Sequence, residues 1–117
     1  MQFLVQMKLA DSGRAGTAQD GVTLIEQLVV PTLELCKRFE SERKILAGGS
    51  VVGSVALALI LEAESAQKVD ELVSSLPVWP RMETTVIPLT SFDGRRASVG
   101  SLAERLKARM QARPDAP

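Results

Sequence analysis

The side chains that could carry chemistry in this chain are limited by what its sequence lacks. Its 117 residues include no histidine, no tyrosine and a single cysteine, Cys36. Histidine is the usual proton shuttle at neutral pH, the commonest metal ligand and the base in Ser-His and Cys-His pairs. Nothing is spaced with Cys36 as a zinc or iron site would require. Proton transfer by this protein would therefore have to use a carboxylate.

Glu26 is the carboxylate best placed for such a role. It lies three residues after Thr23, near the start of a predicted amphipathic helix and at the edge of its apolar stripe. The interpretation we favour is structural: Thr23 and Glu26 have the spacing of a capping box, in which both side chains bind backbone N–H groups of the first turn. We interpret Glu83, Glu62 and Glu64 as solvated residues of a strand start and a turn.

Two arginines and one serine are the remaining polar candidates. Arg43 and Arg81 could hold a carboxylate through two parallel hydrogen bonds, although an arginine beside a loop is more often a surface residue. Ser54 could donate a hydrogen bond into a cavity or simply begin a strand, and both interpretations stay open. Cys36, on the apolar side of a helix, is interpreted as a buried and unreactive thiol.

Composition indicates one small domain without a charged partner. Apolar residues make up 45% of the chain, but aromatic residues only 3%, which leaves few rings to stack on bases. Fourteen basic and fourteen acidic residues cancel, so no overall field attracts nucleic acid or a membrane.

The start, "MQFLVQMKLADSG", does not have the pattern of a secretory signal, and "VVGSVALALIL" is too short for a membrane span. With a single cysteine, we expect a cytoplasmic protein.

Hydrophobic periodicity predicts the elements that position these residues. "QFLVQMKL" alternates as a strand, and a helix follows from Thr23 to about Arg43 with a kink at Pro31. "KILAGGSVVGS" is a short strand broken by Gly48 and Gly49. "SVALALILE" is a longer strand with one leucine-rich face and one small-sided face.

The second half of the pattern completes a ferredoxin-like plan. "ESAQKVDELVSSL" is a helix capped by Ser65, and "TTVIPL" is a strand that Pro88 restricts to a sheet edge. The order is βαββαβ, an α+β sandwich in which both helices cover one sheet face. The bare face would be buried against a second copy, which gives a homodimer in the form of a dimeric α+β barrel.

The last residues form a separate, basic segment. "SLAERLKARMQARPDAP" begins with a second capping box, Ser101 and Glu104, and carries a narrow apolar stripe among basic residues. We expect a helix that docks on its own or a neighbouring subunit. The predicted division is a domain over residues 1–92 and a helical tail over residues 93–117.

Beyond these patterns, the chain resembles the muconolactone delta-isomerases. From Leu35 to Leu89 it follows the family pattern without a gap, through "RFESERK", Gly53, the turn "EAES" and above all "LPVWPRM", which is followed by Glu83. The opening "MQFLVQM" also resembles the family's first strand, and the resemblance ends near Phe92. It implies a dimeric α+β barrel, often assembled into larger rings. It also implies a cofactor-free shift of a double bond in an unsaturated lactone acid, within aromatic catabolism.

Set against that family pattern, the chain departs at positions suited to catalysis. Ser54 and Ala58 stand where the family has histidine and tyrosine on the long strand. The family's Arg, His, Trp and Arg on the preceding strand are replaced by Leu46, Ala47, Gly49 and Ser50. A fold can persist while its reaction changes.

The sequence therefore supports one main hypothesis and two alternatives. The main one is cofactor-free proton transfer or isomerisation on a small unsaturated lactone or organic acid, with Glu26 as the base. The first alternative is a non-catalytic ligand-binding or assembly module that kept the fold and lost the site. The second is an interaction protein that acts through its tail. The ligand-binding residues we expect are Ser54, Ala58, Trp79, Arg81 and Met82.

The loop "SSLPVWPRMETTVIPL" supplies two of those residues. Its prolines stiffen the chain, and Pro80 keeps Trp79 from joining the preceding helix. Trp79 and Met82 can then cap a cavity or close on a neighbouring subunit. For Trp79, packing is the role we favour.

Overall fold

The computed structural model describes residues 1–11 and 14–112. The chain forms strands β1 (Gln2–Leu9), β2 (Ile45–Ser50), β3 (Ala56–Glu62) and β4 (Met82–Leu89), with helices α1 (residues 18–41), α2 (Ala66–Ser74) and α3 (Phe92–Ala112). The strands pair into one antiparallel sheet in the order β2-β3-β1-β4. This is the predicted ferredoxin-like α+β fold, followed by an additional helix.

Strict alternation in β1 and β3 determines where the core lies. The buried side chains that meet beneath the helices are Phe3, Val5, Met7, Ile45, Leu57, Leu59 and Leu61 from the sheet and Phe39, Val69, Val73 and Leu76 from the helical side. Burying each of the larger ones contributes roughly 1.5–3 kcal/mol. On the other sheet face, Leu4, Ile60 and Ile87 form one row across three strands, in which Leu4 and Ile60 are half-buried and Ile87 is exposed.

Helix α1 begins earlier than the sequence predicts. Thr17 is its N-cap, and the Thr17 side-chain oxygen accepts a hydrogen bond from the Asp20 N–H at 3.1 Å. Thr23 has helical dihedral angles and its side chain makes no capping bond. The predicted capping box of Thr23 and Glu26 is therefore wrong, because the helix is already capped six residues upstream.

Pro31 is accommodated by a change of helix type. Helix α1 consists of α-helical Ala18–Thr23, π-helical Leu24–Val29 and α-helical Val30–Ser41. The Val30 N–H donates to the Ile25 carbonyl five residues back. Proline has no N–H, and its ring clashes with the carbonyl four residues before it in an α-helix. The wider turn that precedes Pro31 avoids this clash.

Strand β2 runs through Gly48 and Gly49, so the predicted interruption there is wrong. The register irregularity lies earlier, between Ile45 and Ala47. Gly48 has φ of 121°, and a Cβ at this position would collide with the carbonyl oxygen of Ala58. Only glycine satisfies both conditions, and it lets β2 lie directly against β3.

Two predictions about the second half of the domain are confirmed. Ser65 caps α2, and its side chain accepts a hydrogen bond from the Lys68 N–H at 3.3 Å. Pro88 lies in β4, which is an edge strand of the sheet. A short 3₁₀ turn, Trp79–Arg81, connects α2 to β4.

Helix α3 begins at Phe92, directly after β4. The Ser91 hydroxyl oxygen accepts a hydrogen bond from the Gly94 N–H at 2.9 Å, so the helix is capped there. Ser101 and Glu104 lie in its interior, and the predicted capping box is wrong. None of the residues 92–112 is buried, and the molecule extends over 72 × 34 × 25 Å. Within the described part of the chain, no helix has both the length and the apolar character needed to cross a membrane.

Candidate functional site

A cleft lies beneath α1, between that helix and the β2–β3 half of the sheet. A cavity of about 190 Å³ adjoins a smaller one of about 80 Å³. Leu33, Ser50 and Leu57 line both of them, so we treat the two as one site, the α1 cleft. A concave, largely apolar site with a few polar groups is the usual form of a small-molecule site.

Small residues on β2 keep this cleft open. Gly48, Gly49 and Ser50 face the helical residues Leu33 and Cys36 across the larger cavity. Glycine adds no side chain, so the space between helix and strand stays unfilled. The buried residues of its lining are Ile45, Leu57 and Leu59, which form an apolar wall.

Ionisable groups line the larger cavity along one edge of α1. Lys37 follows Leu33 by four residues and Glu40 follows Cys36 by four, so each lies one helical turn further along. Both side chains are exposed. The cleft therefore combines an apolar interior with one ammonium and one carboxylate in contact with water. An ammonium can attract an organic acid, and a carboxylate can exchange protons with it.

The thiol of Cys36 is a neutral part of the same wall. Partial burial, and to a smaller extent the negative charge of Glu40, raise the pKa of Cys36 above its ordinary value of 9.0. The thiol is thus protonated at neutral pH and is a poor nucleophile. This agrees with its predicted unreactive role, although the side chain is only half-buried.

The smaller cavity is held by a long-range hydrogen bond. Thr32 of α1 is buried, and its hydroxyl oxygen accepts the N–H of Val78 at 3.0 Å. This bond joins α1 to the turn before β4, and Val78 and Met82 complete the wall. Ser54, in the turn before β3, lies on the same wall.

The structure brings together only some of the predicted ligand-binding residues. Ser54 and Met82 both line the smaller cavity. Ala58 pairs with Gln6 and lies on the opposite face of the sheet, because alternation along β3 assigns its leucines to the helix side. The structure therefore does not bring Ala58 together with Ser54.

Trp79 and Arg81 lie outside both cavities. Trp79 is 39% exposed, and the buried residue of its turn is the neighbouring Val78. Most of the Trp79 surface is nevertheless covered, and its role in packing or in closing on a neighbouring subunit stays a prediction. Arg81 is half-buried, and its carbonyl oxygen accepts the Ala10 N–H at 3.0 Å, which ties the end of β1 to the turn.

Glu26 lies on the exposed side of α1, away from the cleft. The prediction assumed a uniform 3.6-residue period from a start at Thr23. The π-helical segment advances by a smaller angle per residue, so it changes which side chains point inward. Arg43 lies in the turn after α1 with φ of 60° and also lies outside the cleft. Neither residue is brought into contact with Ser54 or Met82.

The residues that sequence reasoning missed are Thr32, Lys37, Glu40 and Val78. Part of the signal was present, because Leu33, Cys36, Lys37 and Glu40 follow one another at helical spacing on one side of α1. Thr32 and Val78 are 46 residues apart, and no local pattern indicates that pair.

The fold is similar to solved structures of two enzymes. A crystal structure of muconolactone isomerase superposes with a TM-score of 0.63 and 22% identity, covering 78% of this chain and 90% of that one. A 5-chloro-2-hydroxyhydroquinone dehydrochlorinase from Burkholderia phenoliruptrix, in complex with 2,5-dihydroxybenzoquinone, gives a TM-score of 0.52 and 24% identity, covering 80% of this chain and 98% of that one.

Sequence comparison assigns the family. No curated protein sequence matches the chain. The family model described as muconolactone delta-isomerase matches residues 1–94, which include all of the sheet, α1 and α2. The chain therefore belongs to the muconolactone delta-isomerase family.

Proposed function

We propose that this protein is a cofactor-free isomerase of the muconolactone type, which shifts a C=C bond in a small unsaturated lactone or organic acid. The observation that carries the proposal is the α1 cleft, an apolar cavity of about 190 Å³ lined also by Lys37 and Glu40. Its size suits a small molecule, the Lys37 ammonium suits an organic acid, and the Glu40 carboxylate can serve as a base. Membership of the family supports the same reaction class.

The proposed chemistry assigns one role to each group. Lys37 attracts the carboxylate of the ligand, while Leu57 and Leu59 contact its apolar part. Glu40 removes a proton made acidic by a conjugated carbonyl, and the electron pair of the broken C–H bond spreads onto the carbonyl oxygen. The Ser50 hydroxyl donates a long hydrogen bond of 3.5 Å to the Ala56 carbonyl oxygen, and by turning to the ligand it can stabilise that oxyanion instead. Returning the proton to another carbon of the conjugated system shifts the double bond and regenerates the carboxylate.

The experiment is incubation with muconolactone and related unsaturated lactones in heavy water, followed by proton NMR. We expect isomerisation or deuterium uptake with the natural protein, and a loss of at least about 100-fold in Glu40→Gln. Glu26→Gln is the matched control and should retain the rate. If Glu26→Gln loses the activity instead, Glu26 is the base, as the sequence predicts. If no lactone is isomerised or exchanges its protons, the proposed isomerase activity is wrong.

A non-catalytic binding module is the second candidate, and the substitutions on β2 favour it. Leu46, Ala47, Gly49 and Ser50 stand where the family pattern has Arg, His, Trp and Arg. Chemical-shift changes around Cys36 on adding a small acid, without proton exchange in the ligand, would support this function over catalysis.

We also propose that two copies pair through their bare sheet faces to give the dimeric α+β barrel. Leu4, Ile60 and Ile87 form an apolar row on that face, which such pairing would bury. Ile60→Glu should reduce the mass measured by light scattering to that of a smaller species, while Gln2→Glu, at the end of the same face, should not. Unchanged mass in Ile60→Glu would contradict this pairing. We place the protein in the cytoplasm, consistent with its single cysteine.

A further inference from the structure

Helix α3 carries an apolar stripe that residues 1–11 and 14–112 of its own chain leave uncovered. Val99, Leu102, Leu106 and Met110 recur at spacings of three and four residues and so share one side of the helix. Their exposed fractions range from 45% to 73%. The family match ends at residue 94, so nearly all of this helix is additional to the family domain.

A second uncovered stripe runs along the outer side of α1. Val22, Glu26, Val30 and Glu34 follow one another at intervals of four residues, and all four are exposed. Val22 is 48% and Val30 is 42% exposed. The stripe thus alternates apolar and acidic side chains, on the side of α1 opposite the buried Leu24 and Thr32.

The two stripes are complementary in charge. Residues 18–36 contain three acids and no base, whereas α3 contains five bases and two acids. The same contrast holds for the whole chain: residues 1–91 have eleven acids and eight bases, and residues 92–117 have three acids and six bases. An apolar stripe flanked by bases therefore matches an apolar stripe interrupted by acids.

We propose that α3 of one copy packs along the outer stripe of α1 of a second copy. Helix α1 covers the β2–β3 half of the sheet, whereas α3 leaves from β4 at the opposite edge. As a single continuous helix, α3 extends away from its own domain, which gives the molecule its 72 Å length. A neighbouring copy can receive it. Two such contacts related by a two-fold axis form a closed, self-complementary pair.

The contact is distinct from the sheet-to-sheet pairing and from the proposed reaction. It uses the outer side of α1 and leaves the bare sheet face available. Assembly through both surfaces at once would link copies beyond a dimer. The contact can therefore be tested without any measurement of isomerase activity.

Zero-length carbodiimide cross-linking of the full-length protein tests the proposal. A mixture of ¹⁴N- and ¹⁵N-labelled protein is cross-linked, digested and analysed by mass spectrometry. We expect peptides joining Lys107 to Glu26 or Glu34 in which the two peptides carry different isotopes. The exposed ion pair of Lys8 and Glu83, 3.4 Å apart within one chain, reports that the reaction has worked.

Two variants connect the cross-link to the apolar stripe. Leu106→Glu should lower the yield of mixed-isotope peptides at least about tenfold, because a charge replaces a leucine in the contact. Ala108→Glu adds the same charge on the opposite side of α3 and should retain the yield. Neither residue is buried in its own chain, so circular dichroism should show the fold unchanged.

Same-isotope peptides alone would mean that α3 folds back within one chain, and would overturn the proposal. Absence of any α1–α3 peptide while the Lys8–Glu83 product forms would overturn it as well. An equal loss of mixed-isotope peptides in Leu106→Glu and Ala108→Glu would contradict the packed stripe, because the yield would then depend on charge alone.

Discussion

Thr32 and Val78 are joined by a buried hydrogen bond of 3.0 Å, from the Val78 N–H to the Thr32 hydroxyl oxygen. Forty-six residues separate them along the chain. The bond fixes the turn before β4 against α1 and so holds Val78 and Met82 in the wall of the cleft. A backbone N–H in this position has no water to replace a lost partner.

Thr32→Val should therefore destabilise the protein by about 1–3 kcal/mol, because it leaves the Val78 N–H buried without an acceptor. Urea unfolding measures the change in the free energy of unfolding. Thr32→Ser keeps the hydroxyl and removes only a methyl group, so it should cost less. A threonine-to-valine change without effect would mean that the turn finds another acceptor.

Gly48 and Gly49 are adjacent, but substitution by alanine should destabilise the protein at Gly48 and have little effect at Gly49. Gly48→Ala forces a side chain into a positive-φ position and against the Ala58 carbonyl, so we expect a loss of at least about 2 kcal/mol in the free energy of unfolding. A Cβ on Gly49 meets no atom of the described chain within 4 Å, and Gly49→Ala should change stability little. Thermal unfolding of both variants checks this; similar losses would contradict it.

The sheet and its core could be predicted from sequence because their signal is local. Alternation in "QFLVQMKL" and "SVALALILE" assigns Val5 and Leu59 to one face without knowledge of the fold. The order of the elements then selects the ferredoxin-like plan. Ser65 and Pro88 were correctly interpreted for the same reason, since a cap and a missing N–H act within a few residues.

The candidate site could be predicted only in part. Glu26 was assigned from a uniform helical period, which the π-helical segment before Pro31 changes. Both capping boxes were wrong because the S/T-x-x-E spacing also occurs inside helices that begin earlier, here at Ala18 and Phe92. The α1 cleft exists because residues of β2 approach α1 from a distant part of the sequence, and the pattern around Cys36 alone does not reveal that.

The thiol of Cys36 should react slowly at neutral pH. Burial and Glu40 raise its pKa above 9.0, so the folded protein holds the thiol proton more tightly than the unfolded chain. The corresponding stability is fully present below the unfolded pKa and is lost as the pH rises through the folded value. Iodoacetamide alkylation, followed by mass spectrometry from pH 7 to 10, should accelerate at a higher pH in folded than in urea-unfolded protein.

Glu40→Gln provides the matched variant for the thiol. It removes the smaller of the two causes, so the pH at which alkylation accelerates should fall slightly and stay above the unfolded value. A full return to the unfolded value would mean that the charge of Glu40, rather than burial, is the main cause.

The domain should fold without α3. Residues 92–112 are all exposed, so a chain ending at Ser91 loses no buried side chain of that helix and keeps the sheet, α1 and α2. We expect its thermal midpoint to stay within a few degrees of that of the full chain at low protein concentration, and its helical circular-dichroism signal to decrease. A chain that ends at Ile87 is the contrasting variant, because it shortens β4 and removes Pro88 and Leu89 from the pairing with β1. It should be clearly less stable.

If both shortened chains lose cooperative unfolding, the helix is part of the domain and the boundary near residue 92 is misplaced.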